Sequence, residues 1–144
     1  MNPTSNDVEE IRALVDATSA AIRAKDVERA LEPYTDDALF FDLAPPLETV
    51  GPNRDMTKAW FDTWRGDIEH EVTDLDIAVS GDLALAHAIN RIGGTKIDGT
   101  KVSTWVRMTL GLRKEGGAWR VMHEHVSVPF YMDGSLRAAV DLEP

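Results

Sequence analysis

A chain of 144 residues has the length of one ordinary domain, and 43% hydrophobic with 28% charged residues is a folded globular composition, not a disordered or fibrous one. With 25 acidic against 15 basic residues the net charge is −10, a surface that repels nucleic-acid phosphates and anionic lipid headgroups, so neither nucleic acid nor membrane is expected as a partner. Cysteine is absent, which excludes disulfides, thiolate nucleophiles and thiolate metal sites.

Met1 to Asp7 carries neither a basic segment nor an apolar run, and no apolar stretch reaches the length of a membrane span; the expected location is the cytoplasm. A first helix is signalled by the capping-box spacing of Asn6 and Glu9 and by the stripe Val8, Ile11, Val15, Thr18 and Ile22, which puts Thr18 on the buried face. Asp26 caps a shorter second helix through Leu31, closed by Pro33, with Tyr34 at the exit. Ala38–Asp42 is apolar and aromatic and suits a strand ending at the Pro45-Pro46 turn, with Phe40 and Asp42 on one face. A third helix begins near Pro52 and runs to Gly66, placing Met56, Ala59, Trp60, Thr63 and Trp64 together so that two indoles point inward.

From Ile68 the period becomes two, with strands near Glu69–Val79, Leu83–Ile92, Val102–Arg113 and Trp119–Val128 joined by Gly-containing turns. Helices first and long strands afterwards is an α+β order. One domain over residues 1–144 is expected, with its core at about 7–130 and tails at 1–6 and 133–144; the second tail forms one helical turn or frays.

This α-α-β-α-β-β-β-β order resembles the nuclear-transport-factor-2-like superfamily, in its SnoaL-like, ketosteroid-isomerase-homologue branch. Three motifs carry the resemblance: Lys25-Asp26 followed by Tyr34-Thr35-Asp36-Asp37-Ala38, Gly51 before the third helix, and the terminal run Trp119 to Pro129. The terminal run is also similar to the association domain of calmodulin-dependent kinase II. The resemblance implies a cone: a strongly curved antiparallel sheet whose concave face meets the three helices around a small-molecule pocket, without a cofactor.

Residue by residue, the resemblance places Asp42 where ketosteroid isomerases carry their general base. Burial beside Phe40, Trp60 and Trp64 would raise its proton affinity into a useful range; the competing role is capping the Leu43–Pro46 turn. The isomerase oxyanion-hole positions correspond to Thr18 and Thr109, whose hydroxyls are too weakly acidic for a dienolate, which argues against steroid isomerisation. The same matching turns Trp105, Arg107 and Thr109 into the pocket and leaves Val106, Met108, Leu110 and Leu112 on the convex side, where such an apolar patch calls for a homodimer. A buried Arg107 then needs Glu124, Asp42 or an anionic ligand as its partner. It also turns Met122, Glu124 and Val126 inward and His123, His125 and Ser127 outward, and favours His87 and Arg91 facing inward. His87 is either a satisfied core histidine or a pocket group. His123 and His125 share a strand face, yet no third ligand is evident, so no metal is expected.

Tyr34, Phe40, Trp60 and Trp64 are core, pocket wall, or both. The expected occupant is a small apolar or anionic organic ligand. The protein is then an isomerase-, cyclase- or dehydratase-like enzyme with Asp42 as proton acceptor, or else a non-catalytic ligand-binding or oligomerisation module.

Overall fold

A computed structural model describes residues 3–144, and within them the elements run α1 (Pro3–Arg23), α2 (Val27–Leu31), β1 (Tyr34–Phe41), β2 (Thr49–Val50), α3 (Arg54–Phe61), β3 (Trp64–Ser80), β4 (Leu83–Lys96), β5 (Lys101–Glu115) and β6 (Ala118–Ser127). The strands form one curved sheet in the order β2-β1-β6-β5-β4-β3, in which only the β1–β6 pairing is parallel. Residues 1 and 2 of the expected N-terminal tail lie outside the described residues, and residues 3–6 belong to α1, so Asn6 sits inside the helix instead of capping it.

Local chemistry accounts for most of the boundaries. The Asp26 carboxylate accepts from the Arg29 backbone N–H at 3.2 Å and starts α2; the Asn53 side chain accepts from the Met56 N–H at 2.9 Å and starts α3. The third helix ends at Phe61, five residues short of the expected Gly66, so Trp64 opens β3 instead of riding on α3. Gly94 makes that possible. It holds φ +138, and a side chain there would begin 3.1 Å from the Trp64 ring.

The inner face of the sheet is the one that meets α1. On β4 it carries Ala84, Ala86 and Ala88, whose small side chains let the neighbouring elements approach closely. On β5 it carries Val106, Met108, Leu110 and Leu112, which are between 0% and 8% exposed, the last three packing in one cluster with Ile11, Val15, Tyr34 and Phe40. This reverses the expected parity of β5: the apolar alternation is core, and no apolar patch of those four residues faces outward. The α1 helix is tied down at its start by Asp7, whose carboxylate accepts from Lys114 Nζ at 2.9 Å and Trp119 Nε1 at 3.0 Å.

Two bulges decide which side chains reach the inner face. On β3 the irregularity between Thr73 and Asp76, with Asp74 at φ +53, switches the inward set from Ile68, His70 and Val72 to Leu75, Ile77 and Val79. On β6 the shift at Met122 switches it from Trp119 and Val121 to Glu124 and Val126. The last segment neither frays nor turns helical. Phe130 bridges Ala138, the Tyr131 N–H donates to the Arg137 carbonyl, and Ala139 is buried.

Candidate functional site

The most unusual ionisable group in the molecule sits where β1 and β6 run side by side. Phe40 pairs with Glu124 in register, and both point inward because β1 alternates buried and half-buried from Ala38 and the Met122 bulge turns Glu124 to the same side. The Tyr34 hydroxyl donates to Glu124 Oε1 at 2.8 Å, and its ring lies 4.9 Å from that of Phe40. Withdrawal from water pushes the Glu124 carboxyl up to about 7, helped by the negative charge of Asp42 and opposed by the hydrogen bond from Tyr34. Burial, together with the Glu124 charge, holds the Tyr34 phenol well above its ordinary range.

Asp42 follows one residue after β1 ends. As a residue it is exposed, yet its carboxyl loses enough hydration to be pushed above the usual aspartate range. It borders a cavity of about 40 Å³ lined also by Phe40, Pro45, Pro46, Thr49 and Met56. Beside it Leu43, Leu47, Val50 and Met56 leave apolar surface in solvent, whereas Trp60, 37% exposed, does not line the cavity and packs against Phe61 and Trp64. Trp64 is 4% exposed and belongs to a separate cluster with Ala21, Ala30, Phe61 and Ile68, beneath Lys96 Nζ at 3.6 Å from its ring centroid. Both carboxyls have raised proton affinity, Glu124 beneath the Tyr34 hydroxyl and Asp42 beside an apolar cavity, an arrangement suited to acid–base chemistry.

Several residues expected in the pocket lie elsewhere. With β5 parity reversed, Trp105, Arg107 and Thr109 occupy the outer face; Arg107 is exposed and its Nε donates to Ser127 Oγ at 3.1 Å, pairing with neither Glu124 nor Asp42. His87 also faces outward, 56% exposed and 3.6 Å from Asp76, and Arg91 bonds Glu69 and Glu71 on that face. Met122 is the bulge residue, its methyl reaching across the outer side of Gly111. His123 and His125 flank the Phe41 ring on the outer face, at centroid distances of 4.8 and 5.3 Å. Val126 packs against the inner core. Among the described residues no three His, Asp or Glu side chains gather closely enough to hold a metal ion.

Thr18 is off the buried line of α1, its hydroxyl returning to the Leu14 carbonyl at 2.8 Å; the buried position is Ser19, 4% exposed. Ser19 Oγ lies 2.6 Å from His70 Nδ1, and Arg23 Nη1 donates to both Ser19 Oγ and the His70 carbonyl, each at 3.0 Å. Burial, with Arg23 nearby, pushes the His70 imidazole down to about 4. Asn90 is 3% exposed on the adjacent strand, its Nδ2 donating to Met108 Sδ at 3.3 Å while its Oδ1 has no partner. Sequence reading missed this cluster. The signal was present in spacing: Ile11, Val15 and Ser19 are four apart on a helix, and His70 alternates with Ile68 and Val72.

An α+β cone with helices on the concave face and a mixed curved sheet defines the nuclear-transport-factor-2-like class of proteins. Within that class, the chain belongs to the family of the SnoaL-like domain, whose model matches residues 11–131. A nuclear-transport-factor-2-like protein of unknown function from Pseudomonas putida is 34% identical, with 97% of this chain and 98% of that chain covered and a TM-score of 0.87. Two more distant structures share the fold: a candidate aromatic ring hydroxylase from Novosphingobium aromaticivorans (22% identity, 88% and 91% coverage, TM-score 0.72) and a candidate dehydratase of the same class from Streptomyces avermitilis (18% identity, 85% and 96% coverage, TM-score 0.73). No curated protein matches the chain.

Proposed function

We propose that the protein is a cofactor-independent enzyme acting on small carbonyl compounds by proton transfer, with Asp42 as base and the Tyr34-held Glu124 as acid. The observation that carries this reading is the divergence of the two carboxyls: Glu124 is held protonated up to about 7, whereas Asp42 stands at an apolar mouth where a ligand carbon can reach it. Asp42 removes a proton from a carbon beside the carbonyl, and the electrons of that C–H bond pass into an enolate. Return of the proton to another carbon completes an isomerisation. Departure of a hydroxide that takes its proton from Glu124 completes a dehydration. The candidate dehydratase on the same fold supports this class by analogy only.

The Asp42→Asn variant is expected to lose about 10²–10⁴-fold in rate while keeping its fold, the usual contribution of a positioned base. Solvent-deuterium incorporation into cyclohex-2-enone, followed by NMR, measures it; a rate equal to that of the unaltered protein removes Asp42 from the mechanism. The reading includes a cytoplasmic protein that pairs through the outer sheet face. There Phe41, Ile89, Trp105 and the half-exposed Leu85 lie among Arg107, His87 and His125, a mixed surface suited to a second copy.

A further inference from the structure

The polar cluster around His70 is not needed by the acid–base pair. Its position is unusual. On α1, Ser19 falls between Val15, which packs in the larger apolar cluster, and Ala21, which packs in the smaller one. On β3, His70 falls between Val72 of the larger and Ile68 of the smaller; on β4, Asn90 falls between Ala88 and Ile92 in the same way. Three elements thus contribute one polar side chain each to a layer that crosses the interior and separates the two clusters. A layer serving only the fold would be better filled by apolar side chains, because a buried polar group without its hydrogen bond is destabilising.

The layer leaves two groups without protein partners. The single hydroxyl proton of Ser19 has two acceptors in reach, His70 Nδ1 at 2.6 Å and the His70 carbonyl at 3.4 Å, and the first is much the shorter. Directing the proton to Nδ1 assigns His70 the tautomer that carries its own proton on Nε2. Among the described residues nothing hydrogen-bonds that Nε2, and the residue keeps 8% exposure. Asn90 Oδ1 is buried and unpartnered, and its amide nitrogen meets only the thioether of Met108, a weak acceptor on an unbranched, movable side chain. Met108 pairs with Val126, which follows Glu124 on the same inner face, so the layer and the carboxyl pair share one side of the sheet.

We propose that His70 Nε2 and Asn90 Oδ1 form a neutral polar pole for the oxygen function of an uncharged ligand, with Met108 moving aside: the Nε2–H donates to a ketone or hydroxyl oxygen, and Oδ1 accepts from the O–H where the ligand carries one. A neutral imidazole N–H is suited to a carbonyl oxygen, and Ser19 acts as a positioning residue through the tautomer it sets. This deepens the preceding proposal by naming the substrate class as uncharged oxygenated molecules; binding at His70 does not require Asp42 to be the base.

The test is long-range ¹H–¹⁵N NMR of the histidine rings of the full chain, first alone and then with cyclohex-2-enone or propionate. The expected result is the Nε2–H tautomer of His70, a saturable shift of its Nε2 resonances with the ketone, and none with propionate. His70→Phe should weaken ketone binding about ten-fold, the effect of losing one well-made hydrogen bond, and Ser19→Ala should redistribute the tautomer. The proposal is overturned by an Nδ1–H tautomer, by an unmoved His70 in the presence of the ketone, or by an equal response to propionate. Asp42→Asn separates the two readings: a retained His70 shift with unchanged deuterium exchange sinks the base and spares the pole, whereas lost exchange with a His70 that the ketone leaves unmoved keeps the base and sinks the pole alone.

Discussion

Replacing Glu124 by Gln is expected to convert a nearly level pH–stability profile into one that climbs steeply from pH 4 to 6.5. The folded protein holds the Glu124 proton up to about 7 whereas an ordinary glutamate releases it near 4.5, so this group's contribution is full below 4.5 and is lost as pH rises toward 7. His70 is shifted the other way, from 6.5 to about 4; its contribution is full above 6.5 and is lost as pH falls toward 4. The two slopes oppose each other across their shared window, each worth on the order of 3 kcal/mol. Removing the titrating carboxyl leaves the histidine slope exposed, while Gln keeps an oxygen for the Tyr34 hydroxyl. Asp42, pushed the same way as Glu124 but less far, remains and moderates the climb. Urea unfolding of the unaltered protein and of the variant at pH 4.5 and 6.5 measures the difference, and the same pH dependence in both would show that Glu124 does not hold a proton in the folded state.

The second large effect concerns the face of β5. Leu112→Ala removes a side chain with no exposure from the main cluster and is expected to destabilise the protein by about 2–5 kcal/mol, the range for a core leucine truncated without collapse of the site. Arg107→Ala, on the outer face with one hydrogen bond to Ser127, should leave the unfolding midpoint almost unmoved in the monomer. The opposite ordering in chemical denaturation would restore Arg107 to the interior and refute the assigned parity.

The order of elements along the chain, the hairpin positions and the start of the second helix were legible because each has a local cause: Asp26 before a helical stripe, Gly between runs of period two, proline at turns. The β5 parity was legible too. Alternation of Val106, Met108, Leu110 and Leu112 with Trp105, Arg107, Thr109 and Gly111 points the aliphatic set inward on its own, and carrying over the isomerase register displaced it by one residue, which turns every side chain to the other face. Where the bulges fall was not legible, since an extra residue at Met122 or Asp74 leaves composition unchanged and is chosen by pairing with a distant strand. Trp64 was misplaced because Trp60 and Trp64 have helical spacing; the helix ends at Phe61, and Thr63 then bonds back to the Trp60 carbonyl. Ser19 and His70 were passed over for a similar reason. Each is a polar residue on an otherwise apolar line, and only the fold brings α1 and β3 together to satisfy one with the other.

The candidate site was half visible. Asp42 was found through its position after β1, and Glu124 was named but assigned to a partner that faces away from it. Their relation to each other depends on the parallel β1–β6 pairing, which joins chain segments more than 80 residues apart. No local pattern encodes it.

The central claim is that a half-buried glutamic acid held by Tyr34 and an aspartate at an apolar mouth act together as acid and base. Carboxyl ¹³C titration of Glu124 by NMR, in the unaltered protein and in Asp42→Asn, tests it most directly. The account predicts a midpoint near 7 that moves down when the Asp42 charge is removed; a midpoint in the ordinary glutamate range, or one indifferent to Asp42, would contradict it.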